Sequence, residues 1–124
     1  MDQLTNKHTC QAMVVACIDF RFQKYLRKFE DENIHGGYDL LTFAGGVKQL
    51  DQVLEEIDIS KRLHEIHELY LVNHENCGAY GEESTYENHK RDLEKAYNAV
   101  KEKYPDINIH KYYLHLDGQF EKID

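Results

Sequence analysis

Cys17-Ile18-Asp19-Phe20-Arg21 and His74-Glu75-Asn76-Cys77-Gly78 hold the residue types most able to do chemistry in this chain. Each follows an apolar run, Met13-Val14-Val15-Ala16 before the first and Leu69-Tyr70-Leu71-Val72 before the second. Short apolar runs of this kind predict buried strands. Two thiols and an imidazole thus arrive at the ends of two core strands, where an open α/β sheet builds its ligand crevice. Cys17, His74 and Cys77 make a three-ligand zinc set with the fourth position free, the pattern of a catalytic rather than a structural site. Alternation along an extended segment puts Cys17, Asp19 and Arg21 on one side, so Asp19 and Arg21 would lie together beside the metal. The two-residue gap between His74 and Cys77 lets a turn fold both onto one ion, with Gly78 expected to supply the backbone freedom.

Each residue taken alone has a plainer reading. A cysteine ending a hydrophobic strand is usually a small buried hydrophobe, and Asp19 suits the N-cap of a following helix. Arg21 reads singly as a solvated charge, and His74 as a hydrogen-bonded strand-end histidine. The joint pattern favours zinc, because complementary ligands fall at the ends of two strands expected to be adjacent. His64, His67, His110 and His115 read as structural or surface residues. His8 and Cys10 are a minor candidate addition to the site, since the first strand leads into it.

The elements that must position these residues alternate. Strands are expected over 11–17, 38–44, 68–73 and 107–116. Helices are expected over 22–33, 47–64 (with Asp58-Ile59-Ser60 breaking it in two) and 83–104, the last with an inner face of Tyr86, Leu93, Tyr97 and Val100. Asp117-Gly118 predicts a tight turn into a short last strand. The fold class is α/β in three layers, a central, mostly parallel sheet of order 2-1-3-4 plus that last strand, flanked by helices with right-handed crossovers. In that order Cys17 and His74 come out side by side at a topological switch point.

The 124 residues suit a single domain, 1–124. With 15 basic against 23 acidic residues the net charge is −8, which disfavours nucleic acid and anionic membranes as partners. No apolar stretch approaches the ~20 residues of a membrane span, and the N-terminus lacks the regions of a signal peptide. Three cysteines without an export signal are expected to be reduced thiols in a cytoplasmic protein.

Cys17-Asp19-Arg21 and His74-Cys77-Gly78 resemble the paired C-x-D-x-R and H-x-x-C-G signatures of the β-class carbonic anhydrases. Phe43-Ala44-Gly45-Gly46 resembles that family's Ala-Gly segment after its second strand, and residues 113–118 its closing strand and turn. The resemblance implies Zn²⁺ held by Cys17, His74 and Cys77, with an Asp19–Arg21 dyad facing the fourth position. While Arg21 holds Asp19, water or hydroxide occupies the metal and attacks carbon dioxide; when the dyad breaks, Asp19 becomes a possible fourth ligand. It further implies a zinc lyase that hydrates carbon dioxide reversibly to bicarbonate, and a homodimer or larger homo-oligomer. Two alternatives remain: a zinc hydrolase of another small heterocumulene, for which Phe20 and Phe43 would suit a drier pocket, and a catalytically weak zinc-binding protein with an interaction or regulatory role.

Overall fold

Five strands form one sheet in the order β2-β1-β3-β4-β5. They are β1 (Ala12–Ala16), β2 (Tyr38–Thr42), β3 (Glu68–His74), β4 (Asn108–Leu114) and β5 (Phe120–Ile123). Three helices connect them, α1 (Gln23–Asn33), α2 (Leu50–His64) and α3 (Tyr86–Lys103). This architecture comes from a computed structural model that describes residues 6–124. β1, β2, β3 and β4 run parallel and β5 returns antiparallel beside β4. The expected fold class and strand order are therefore observed.

Alternation along the strands sorts the core into two layers. Met13, Val15, Leu69 and Leu71 face α2 and α3, where Val53, Ile57, Leu93, Ala96 and Val100 complete the larger core. Ala16, Val72 and Leu114 face the other way and pack on Phe22 and Leu26 at the start of α1. β1 is buried along its whole length, as a central parallel strand covered on both faces should be.

Three expectations differ in detail. α2 runs unbroken through Asp58-Ile59-Ser60, because the Ser60 hydroxyl donates to Asp39 Oδ2 at 2.7 Å instead of capping a new turn. α3 buries His89 and Ala96 beside Leu93 and Val100, leaving Tyr86 and Tyr97 at the rim of the core. β1 ends at Ala16, and a 3₁₀ turn over Phe20–Phe22 precedes α1. Residues 17–19 have left the strand ladder and 20–22 form the turn, so strand alternation does not place Asp19 and Arg21. The closing turn is as expected, with the Gly118 N–H donating to the His115 carbonyl at 2.9 Å.

Candidate metal centre

The end of β1 and the end of β3 bring Cys17, His74 and Cys77 together, all three buried, with their ligand atoms within 4.8 Å of one another. The two sulfurs lie 4.0 Å apart, close to the ~3.8 Å that two 2.3 Å zinc–sulfur bonds subtend at a tetrahedral angle. His74 Nδ1 hydrogen-bonds the Glu75 carbonyl at 2.7 Å. A carbonyl only accepts, so Nδ1 carries a proton, and in the neutral ring Nε2 then keeps its lone pair. That Nε2 is buried with no hydrogen-bond partner, an unmet acceptor of the kind that buried polar atoms rarely tolerate. A divalent cation between the sulfurs meets the need, so the donor set fits zinc.

Local backbone structure explains the convergence. The ring of Phe22 lies 4.1 Å from that of His74, fixing the plane of the imidazole. Between the two motif ends, Asn76 takes a left-handed φ of 59°. Asn76, not Gly78, makes the turn; an added Cβ at Gly78 would meet nothing within 4 Å. The Cys77 N–H donates to Ser84 Oγ at 2.9 Å, and the Gly45 N–H points at Cys17 Sγ at 3.4 Å. Hydrogen bonds from the Cys77 thiol and neighbouring donors push the Cys17 thiol well down, while proximity to that thiolate pushes Cys77 up. A bound cation favours both as thiolates.

Asp19 and Arg21 face this cluster as a bidentate pair. Arg21 Nη2 reaches Asp19 Oδ2 at 2.7 Å and Nε reaches Oδ1 at 3.1 Å. The guanidinium holds the Asp19 carboxyl below the usual carboxylate range, and Asp19 Oδ2 stands 3.9 Å from His74 Nε2. The Asp19 side chain also accepts from the Arg21 N–H at 2.9 Å and so caps the 3₁₀ turn. Asp19 thus caps the 3₁₀ turn rather than α1, whose N-cap is Phe22, and pairs with Arg21 at the same time. Arg21 also donates to the Asn76 side chain at 3.0 Å and carbonyl at 2.8 Å, tying the first motif to the second.

Behind the centre lies a buried network that sequence reasoning missed. Asn73 Nδ2 donates to Tyr80 Oη at 3.0 Å and to His89 Nδ1 at 2.9 Å. His89 Nε2, left with the proton, donates to Ser84 Oγ at 3.0 Å, the atom that receives the Cys77 N–H. Tyr80 donates in turn to Asp92 at 2.7 Å. Burial holds His89 neutral, its pKa lowered to about 4. The available signal was helical spacing, since His89, Leu93, Ala96 and Val100 make one stripe.

A cleft of about 560 Å³ opens over the cluster between Cys17, Asp19 and Arg21 on one side and Ala44, Asn76 and Ala79 on the other. Ile18 and Phe20 stand at its mouth, and Phe20 is 86% exposed. His8 and Cys10 are not part of it. Cys10 precedes β1 and Cys17 follows it, so the strand's length separates them.

Residues 7–124 match the family model described as "Putative carbonic anhydrase". A protein of Rickettsia bellii described as uncharacterized is 24% identical over 142 residues, covering 98% of this chain and 87% of its own. The carbonic anhydrase of Streptococcus mutans superposes with a TM-score of 0.68 at 18% identity, covering 95% of this chain and 84% of that one. A carbon disulfide hydrolase in its apo form superposes with a TM-score of 0.70 at 11% identity, covering 97% and 82%.

Proposed function

This chain belongs to the carbonic anhydrase family of the matching model, and on that premise we propose that it is a zinc lyase hydrating carbon dioxide reversibly to bicarbonate. The observation that carries the reading is the buried, unpartnered His74 Nε2 beside two sulfurs 4.0 Å apart, with a carboxylate paired to Arg21 facing them. Cys17, His74 and Cys77 hold the metal. When bound, zinc supplies Lewis acidity that brings the pKa of a water toward neutrality.

The chain's own residues do the rest. Arg21 keeps Asp19 ionised, so its carboxylate accepts a hydrogen bond from the attacking water and aims the oxygen lone pair at carbon. Forming the C–O bond converts water and carbon dioxide into bicarbonate, and the released proton passes to solvent through the open cleft. Two bonds from Arg21 to Asn76 fix the guanidinium, so the carboxylate stays in the dyad and off the metal. Were Arg21 to release it, Asp19 lies near enough to become the fourth ligand and close the site. The apolar wall of Ile18, Phe20, Ala44 and Ala79 favours small, weakly solvated substrates. It also supports a second reading, hydrolysis of another heterocumulene, in keeping with the carbon disulfide hydrolase of the same fold.

Zinc-loaded protein assayed for carbon dioxide hydration, beside the Cys77→Ser variant, tests the proposal. Hydration above the uncatalysed rate, lost together with the zinc in Cys77→Ser, is expected. No hydration with the site fully loaded overturns it, and turnover of carbon disulfide alone selects the second reading.

A further inference from the structure

Among the described residues a second set of convergent metal-binding side chains lies at the opposite end of β1. Cys10, Asp39 and His64 each offer one ligand atom, all within 4.8 Å of one another. They come from three separate places: the segment before β1, the start of β2 and the last residue of α2. The Cys10 N–H donates to the His64 carbonyl at 3.1 Å, fixing the two residues relative to each other. Asp39 Oδ2 accepts from Ser60 Oγ at 2.7 Å and contacts His64 Nδ1 at 2.6 Å. The Asp39 carboxylate has His64 as its hydrogen-bonded neighbour and no Lys or Arg in ion-pair contact among the described residues. The ring of His8, two residues ahead of Cys10, lies 4.8 Å from that of His64.

We propose that Cys10, Asp39 and His64 form a second site for a borderline-soft divalent cation such as zinc, with His8 placed to close it. A thiolate, an imidazole and a carboxylate are a zinc-type donor set, whereas magnesium and calcium demand oxygen. The site also stands at the C-terminus of a 15-residue helix, where the helix dipole favours positive charge. Side-chain exposures of 24% for His64 and 31% for Asp39 leave an ion a path in. On binding, the Cys10 thiol gives its proton to solvent and the sulfur bonds the metal. The 2.6 Å contact between Asp39 and His64 Nδ1 opens to admit the cation, the Nδ1 proton leaving for solvent and the neutral ring carrying its one proton on Nε2. Its effect is to clip the segment before β1 onto the end of α2, about the length of β1 away from the catalytic cleft, so it does not depend on the hydration reaction.

The full chain carrying one equivalent of zinc, titrated with Co²⁺ and followed by absorption, tests this. Zinc outcompetes cobalt at the first site, so a second equivalent with thiolate-to-cobalt absorption reports Cys10. Cys10→Ser is expected to abolish that absorption and His64→Gln to weaken the second equivalent at least tenfold, while both keep the first. Cys77→Ser loses the first and keeps the second, which separates failure of this proposal from failure of the catalytic assignment. If a variant loses its circular dichroism, zinc titration of the wild-type chain followed by NMR replaces it. The His64 and Cys10 signals then shift together and saturate at the second equivalent. Uptake that stops at one equivalent overturns the site. So does a second equivalent that survives Cys10→Ser with shifts scattered over other histidines, which is adventitious binding.

Discussion

Asp19 caps the 3₁₀ turn and pairs with Arg21, and variants separate that structural part from the catalytic role proposed for it. Arg21→Ala leaves all three proposed ligands in place, so zinc content should stay near that of the parent. The freed carboxylate can then swing onto the metal, and Asn76 loses two donors that steady its left-handed turn. Hydration activity should fall by roughly 10²-fold or more, the scale on which a positioned acid–base group contributes. Asp19→Ala should also keep its zinc and lose activity. Because Asp19 caps the 3₁₀ turn, it should also cost about 1 kcal/mol of stability. Zinc content, melting temperature and hydration rate measured on both variants decide the matter. A rate unchanged in an active parent would leave Asp19 a cap alone. Cys77→Ser differs in kind, because a ligand set that exists only in the folded state ties metal binding to folding. Its chelator-resistant zinc should be lost and its melting temperature should drop.

At the scale of elements, the alternation of strands and helices was legible because each strand is a short apolar run and each helix carries a periodic stripe. The cluster of Cys17, His74 and Cys77 was legible because these residues follow two such runs. Contacts distant in sequence were not. Nothing local in Asn73 announces that its amide will bridge Tyr80 and His89, and its Oδ1 accepts the Val47 N–H at 3.2 Å. Ser60 looked like a helix break because its partner, Asp39, lies 21 positions away in the chain. Two outcomes follow from the network. Gly46 has a φ of 62°, and a Cβ there would stand 2.3 Å from Asn73 Oδ1. Gly46→Ala should therefore destabilise by more than about 2 kcal/mol and loosen zinc, both readable by thermal melts and chelator competition. His89 is held neutral with a pKa of about 4, against an ordinary 6.5, by burial. Below pH 6.5 the unfolded chain takes up a proton that the folded chain refuses. Stability should thus fall as pH drops from 6.5 toward 4, by up to roughly 3 kcal/mol, and this residue should contribute no slope above 6.5. His89→Gln should be weaker at pH 7.5 yet flatter across that window in urea unfolding; a slope equal to that of the parent would show that His89 is not the titrating group.

For the whole molecule the question is what covers the open side of the cleft. Among the described residues no helix is long and apolar enough to cross a membrane, and the charge of −8 disfavours polyanions. The two sheet edges are unequal. β5 presents exposed Glu121 and Lys122, charges that discourage pairing. β2, Tyr-Asp-Leu-Leu-Thr, has neither lysine nor proline to blunt it and exposes Leu40 at 51%. Past the C-terminal end of β2 comes Ala44, which lines the cleft with Ile18 and Phe20, so the chain leads from the bare edge to the apolar mouth. A second copy of the chain related by a two-fold axis would bury both at once. It would also dry the cleft, strengthening the pull of the Asp19–Arg21 dyad on whatever is bound there. Sedimentation at micromolar concentrations should give a homodimer or a larger closed assembly. Phe20→Glu should shift the mass toward one chain, since two carboxylates brought together at the two-fold would repel and go unpaired. Zinc content should be unaffected, because exposed Phe20 is not one of the three proposed ligands. A wild-type mass of one chain throughout the range would show that the cleft works open to solvent and that Phe20 serves the substrate rather than a partner copy.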